Sequence, residues 1–200
     1  MSRRKLALFA RNFVKHPMML GSVIPSSRFL VSEVLGRIDW NRAKTIVEYG
    51  PGVGNFTAEI LKHLPADGRL IAIEMNREFV DFLRRELKDP RLLVVRGSAA
   101  DVQRILRDDG RDAADYIISG IPFSTMPAEV RESVLRASRD ALAPDGAFLV
   151  YQFSARVRRD LKRIFGSVEQ RFEPLNILPA QLFVCGRAAG AARLGSTTAR

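Results

Sequence analysis

The chain has 200 residues, a single cysteine and a formal net charge of +10 at pH 7. That length fits one domain able to bury its own core; Cys185, alone, excludes a disulfide framework and metal-ligand spacing and fits a reducing cytosol. No uninterrupted stretch approaches the ~20 apolar residues that a membrane span needs.

The charge is unevenly placed. No acidic residue precedes Glu33, whereas Arg3, Arg4, Lys5, Arg11, Lys15 and Arg28 all lie in that stretch, and such a local excess attracts nucleic acid or an anionic lipid surface. On a helical projection Leu6, Phe9, Ala10, Phe13 and Leu20 gather on one side and Arg4, Arg11 and Lys15 on the other, interrupted by Leu8. Residues 1–32 therefore read as a basic amphipathic helix of the kind that rests in a bilayer interface.

From residue 45 onward short β-rich runs alternate with helix-length segments, the pattern of βαβ units and a mostly parallel sheet. Strands are expected at 45–49, 69–74, 92–96, 114–119 and 146–151, with helices at 56–63, 77–88, 102–108, 127–141 and 156–164. Residues 167–172 and 181–184 lack a helix-length spacer and are expected to pair as an antiparallel hairpin. The turns Pro65-Ala66-Asp67-Gly68, Asp89-Pro90 and Ala143-Pro144-Asp145-Gly146 end the helices before them. One domain over 33–188 results. The tail 189–200, small and polar, reads as disordered.

The most informative stretch is Glu48-Tyr49-Gly50-Pro51-Gly52-Val53-Gly54, an apolar strand running into a loop with glycine at every second position and then a helix. Such glycines allow a tight turn and let backbone N–H groups approach a ligand. Glu74 ends the next strand, where a carboxylate can accept both ribose hydroxyls of a nucleoside. A dinucleotide would want glycine near position 55, but Asn55-Phe56 crowds that site, so a cofactor without phosphates fits better.

On these motifs the chain resembles the class I S-adenosylmethionine-dependent methyltransferases. The resemblance implies a Rossmann-like α/β fold with a seven-stranded sheet, an N-terminal helix over the cofactor, and S-adenosylmethionine itself. It further implies that Glu48 anchors the methionine amine, that Gly50, Gly52 and Gly54 pass beneath it, and that Glu74 binds ribose. Met75 would pack on adenine, with Ser98 and Ala99 at its edge. Ser119-Gly120-Ile121-Pro122-Phe123 resembles the acceptor motif of amine methyltransferases. Ser119 and Gly120 would border the cofactor, while Ile121, Pro122 and the Phe123 ring would position an amino nitrogen.

Two families share this edge. In ribosomal RNA adenine dimethyltransferases the strand ends in Asn-Leu-Pro-Tyr, against Gly120 and Phe123 here, and a helical domain follows. The bacterial phospholipid N-methyltransferases are matched more fully, through the basic start, Pro25-Ser26-Ser27-Arg28, the Glu48 loop and Asn176-Ile177-Leu178-Pro179-Ala180. The expected acceptor is the amine of phosphatidylethanolamine, at the inner face of the cell membrane with an anionic lipid surface as partner; RNA adenine is the alternative. The amine must shed a proton before attack, for which Tyr151, Tyr49 and His16 are the candidates, and Arg28, Arg156 or Arg158 could hold the lipid phosphate.

Overall fold

A computed structural model describes residues 28–173 and 180–186. In chain order it contains α1 (Arg28–Leu35), β1 (Thr45–Tyr49), α2 (Asn55–His63), β2 (Arg69–Glu74), α3 (Arg77–Glu86), β3 (Leu92–Arg96), α4 (Val102–Asp108), β4 (Ala114–Ser119), α5 (Ala128–Ala141), β5 (Leu142–Gln152), α6 (Arg158–Phe165), β6 (Val168–Glu173) and β7 (Ala180–Gly186). The seven strands form one sheet in the order β3-β2-β1-β4-β5-β7-β6. Neighbours from β3 across to β5 are parallel, and β7 runs antiparallel to both β5 and β6. This is the Rossmann-like class I arrangement, with the expected hairpin at its edge.

Alternating strand residues feed two cores. Val47, Ile71, Ile117 and Phe148 pack with α4, α5 and α6 on one face. Ile46, Leu70, Ile118 and Leu149 pack with α1 and α2 on the other, where Ala72 and Val94 meet Val80 and Leu83 of α3. Central strands buried on both faces explain the near-continuous apolar runs that made them legible. The strand order reverses between β1 and β4, and the crevice beyond their carboxyl ends is where such sheets bind ligands.

The first four strands fall at the expected residues. Strand β5 begins four residues early, because Leu142, fully buried, pairs with Ala114. The expected turn Ala143–Gly146 is instead an irregularity inside the strand, with the register shifting between Ala114 and Tyr116. A Cβ on Gly146 would lie 2.9 Å from the Ala114 carbonyl oxygen, so only glycine fits there. The division expected after residue 32 falls within α1, whose Leu30, Val31, Val34 and Leu35 are buried in the second core. The basic segment before Arg28, His16, the Asn176 to Pro179 loop and the tail lie outside the described residues. No described helix is long and apolar enough to cross a membrane, and the described residues include no cluster of metal-ligating side chains.

Candidate active site

At the crevice, β1 delivers Glu48 and Tyr49 to opposite faces of the sheet and the chain turns through the glycine loop into α2. Gly50, Gly52 and Gly54 have φ of 67°, 56° and 75°, the left-handed region that other residues enter only at a cost. Close approach adds to that demand at Gly50, where a Cβ would lie 2.8 Å from Ile121 Cγ2. The loop after β4 is thus packed directly on the glycine loop, bringing together two motifs 71 residues apart in the chain.

Glu48 is 2% exposed, and its Oε2 accepts a 2.7 Å hydrogen bond from Thr57 Oγ1 on the first turn of α2. Burial pushes its carboxyl up to about 8, opposed by the Thr57 bond and reinforced by the nearby charge of Glu74. Glu74 ends β2. Its Oε2 accepts from the Gly52 N–H at 3.2 Å and its Oε1 from the Asn76 N–H at 2.9 Å, so the side chain is a strut between the glycine loop and the β2 end. Burial raises its pKa as well, against those backbone bonds. A carboxylate has about four acceptor positions, so these backbone bonds do not exhaust its capacity to accept from a hydroxyl group. Two neighbouring acids, both inside, form a site that a cationic ligand completes.

A pH dependence follows from Glu48. A carboxyl raised in the folded state contributes stability that is present below its unfolded pKa and lost as pH climbs to about 8. Glu48→Gln, which keeps an acceptor for Thr57, should therefore stabilise the ligand-free protein more at pH 8 than at pH 6, with a difference on the order of 2 kcal/mol. Urea denaturation at the two pH values measures this, and an equal gain at both would contradict it.

Met75 is 70% exposed beside Glu74, which removes it from the core and leaves its thioether free to cover a flat ring. The Gly97 N–H donates to the Glu74 carbonyl at 3.1 Å, setting Ser98 and Ala99 along the same edge. Ser98 Oγ is engaged in capping the short 3₁₀ turn Ala99–Asp101, and Ala99 is buried. Ser119 is fully buried, and its Oγ has no hydrogen-bond partner among the described residues.

Two aromatic expectations change. The Phe123 ring does not face the crevice: it is fully buried and meets Phe148 edge-on at 6.2 Å, because the 3₁₀ turn Phe123–Thr125 directs it into the core beneath α5. Nor can Tyr49 serve as a base. Its hydroxyl is 3.1 Å from Ser138 Oγ inside the core, and burial pushes its pKa far upward. The aromatic ring that touches the acceptor motif is Tyr151, stacked on Phe56 at 4.6 Å. A Cβ on Gly120 would lie 2.3 Å from Tyr151 Oη, so the phenol occupies the space that a side chain at 120 would take.

Thr57, Asn76 and Ser138 were not singled out in the sequence, and Phe56 was noted only as crowding the end of the glycine loop. Of the first three only Thr57 left a trace there, as a polar residue between Phe56 and Ile60 on the face of α2 that is otherwise apolar.

The profile of a methyltransferase domain matches residues 46–146, from β1 into β5. An ornithine lipid N-methyltransferase of Singulisphaera acidiphila is 32% identical over 180 residues, 89% of this chain and 94% of that protein. The chain belongs to the class I S-adenosylmethionine-dependent methyltransferases. Its cofactor is S-adenosylmethionine, whose sulfonium and ammonium are positive centres beside one carboxylate, and the buried acids, glycine loop and orphaned Ser119 hydroxyl suit it. The ribosomal RNA small subunit methyltransferase A of Dehalococcoides mccartyi is 25% identical over 56% of this chain and 38% of its own length. A solved S-adenosylmethionine-dependent methyltransferase from Anabaena variabilis has the same fold, with a TM-score of 0.64 at 14% identity over 90% of this chain and 94% of that one.

Proposed function

We propose that this methyltransferase transfers one to three methyl groups to the amine of phosphatidylethanolamine at a membrane surface, toward phosphatidylcholine. The observation that carries this reading is the acceptor position itself, walled by Tyr151 Oη where a side chain at 120 is sterically excluded. An adenine must be read at its edge by hydrogen bonds and stacked; a primary amine needs only a small polar niche and alignment with the methyl group. The near full-length similarity to an ornithine lipid N-methyltransferase supports an amine on a lipid.

In this assignment Glu48 holds the ammonium of the methionine moiety, Glu74 accepts the ribose hydroxyls, Met75 covers adenine and Ser98 and Ala99 border it. Bound S-adenosylmethionine supplies a methyl group on a positively charged sulfur, a leaving group that needs no acid. Ile121 and Pro122 set the height of the acceptor loop over Gly50, and Tyr151 Oη orients the neutral amine. Methyl transfer to that nitrogen would leave the demethylated sulfide as leaving group, and the proton of the resulting ammonium would pass to water. The basic stretch before Arg28 supplies interfacial attachment.

Purified protein incubated with methyl-labelled S-adenosylmethionine and vesicles containing phosphatidylethanolamine, vesicles containing ornithine lipid, or ribosomal RNA distinguishes the acceptors. Label in mono-, di- or trimethylated phosphatidylethanolamine is expected. Label confined to ornithine lipid would move the assignment to that headgroup, and label in adenine alone would replace it by the RNA reading.

A further inference from the structure

Beyond β5 the chain passes through a 3₁₀ turn at Ala155–Val157 into α6. Helix α6 buries Leu161, Ile164 and Phe165 against the sheet, which forces the remaining side chains of this eight-residue, cation-rich helix outward. They line an open groove of about 860 Å³, whose wall carries six cationic side chains and one carboxylate, Asp160. Asp160 is already taken, pairing with Arg131 at 2.8 Å and Arg163 at 3.4 Å. Arg156, Arg158, Arg159 and Lys162 are exposed and none forms an ion pair among the described residues.

The groove adjoins the acceptor loop. Arg131 joins the two: its Nη1 donates to the Met126 carbonyl at 3.0 Å and more weakly to that of Phe123 at 3.5 Å, while its Nε meets Asp160. A rigid guanidinium therefore fixes the distance between the loop that carries Ile121 and Pro122 and the row of free cations. No residue of the glycine loop lines this surface.

We propose that this groove is a docking surface for an anionic phospholipid membrane, one that presses the acceptor loop against the headgroup layer. Four unpaired cations next to each other repel one another, and a plane of phosphate groups relieves that repulsion whatever its lateral arrangement. Arg and Lys also carry apolar stems that lie along the interface while their heads reach phosphate. Single-stranded nucleic acid is the poorer match, since its binding grooves interleave cations with aromatic platforms and no aromatic residue among the described ones lines this groove. The proposal rests on the lipid reading for its purpose but is tested without methyl transfer.

The test uses the full chain and vesicles that contain no amine-bearing acceptor, phosphatidylcholine alone or with phosphatidylglycerol. Converting Arg156, Arg158, Arg159 and Lys162 together to glutamate should weaken binding to the anionic vesicles at least tenfold, without altering the melting temperature or the weak binding to neutral vesicles. A milder pair, Arg158→Gln with Arg159→Gln, should give an intermediate loss and a smaller salt dependence. Equal binding of wild type and the charge-reversed protein to anionic vesicles overturns the proposal. So does a loss of binding to single-stranded RNA with vesicle binding intact. Failure to methylate any lipid would instead overturn the substrate assignment and leave this measurement standing.

Discussion

Glu74→Ala is expected to weaken S-adenosylmethionine binding by roughly a hundredfold or more. In the assigned pose the carboxylate accepts two ribose hydroxyls, and hydrogen bonds to a charged group contribute about 1.5–3 kcal/mol each, where about 1.4 kcal/mol is tenfold in affinity. The structure adds a second loss. The same carboxylate accepts from the Gly52 and Asn76 N–H groups, so its removal frees the glycine loop from the end of β2 as well as the ligand from its ribose contacts. Glu74→Gln retains one acceptor oxygen and should fall between the two. Calorimetric titration reads the effect, with thermal melting to verify that the variants fold. A folded Glu74→Ala protein that binds the cofactor as tightly as wild type would remove this residue from the site.

The second large effect is expected at Gly120, and its sign depends on a partner. Gly120 does not have a positive φ, so the backbone itself tolerates a side chain there. The obstacle is Tyr151, with Oη, Cζ and Cε2 at 2.3, 2.5 and 2.8 Å from the place of a Cβ. Overpacking of this kind costs about 1–3 kcal/mol, and here it also displaces Tyr151, the group that orients the amine in the proposed assignment. Gly120→Asn should thus lose stability and nearly all activity. Tyr151→Ala alone should lose activity and the stack on Phe56. The double variant should be more stable than the sum of the two losses implies, because the asparagine then has room. Denaturation of the four proteins of this cycle measures the coupling, and strictly additive losses would show that Gly120 and Tyr151 do not compete for one space.

That pair also shows where reading from sequence stops. Glycine at 120 was visible as a departure from the Asn-Leu-Pro-Tyr pattern, and Tyr151 as an aromatic near a strand end. That each explains the other depends on the pairing of Ser119 with Val150 across β4 and β5. Strands β1 and β2 were legible because burial on both faces leaves a nearly continuous apolar run, and the crevice because left-handed backbone leaves glycine behind. Phe123 was misjudged, and Tyr49 could not be assigned, for one reason. An aromatic at a strand end faces ligand or core according to which long-range partner it finds, and Phe148 and Ser138 are not marked in the local sequence. The early start of β5 has a similar origin, since Leu142 follows its partner Ala114 through a Pro-Asp-Gly stretch that by itself signals a turn.

The placement of β1 between β2 and β4 bears on how the molecule assembles. Strands β1, β2 and β3 are linked by short crossovers and can pair as they emerge, whereas Ile46 meets Tyr116 across a sequence separation of 70 positions. Contacts at such separation are slow to form, so the fold is two half-sheets, each locally connected, closed along a single seam. That seam is also the crevice, with Glu48 and Glu74 on one half and Ser119 and Gly120 on the other. A ligand that spans it binds the joined state alone and shifts the folding equilibrium accordingly, which makes the methyl donor a clasp between the halves as well as a reactant.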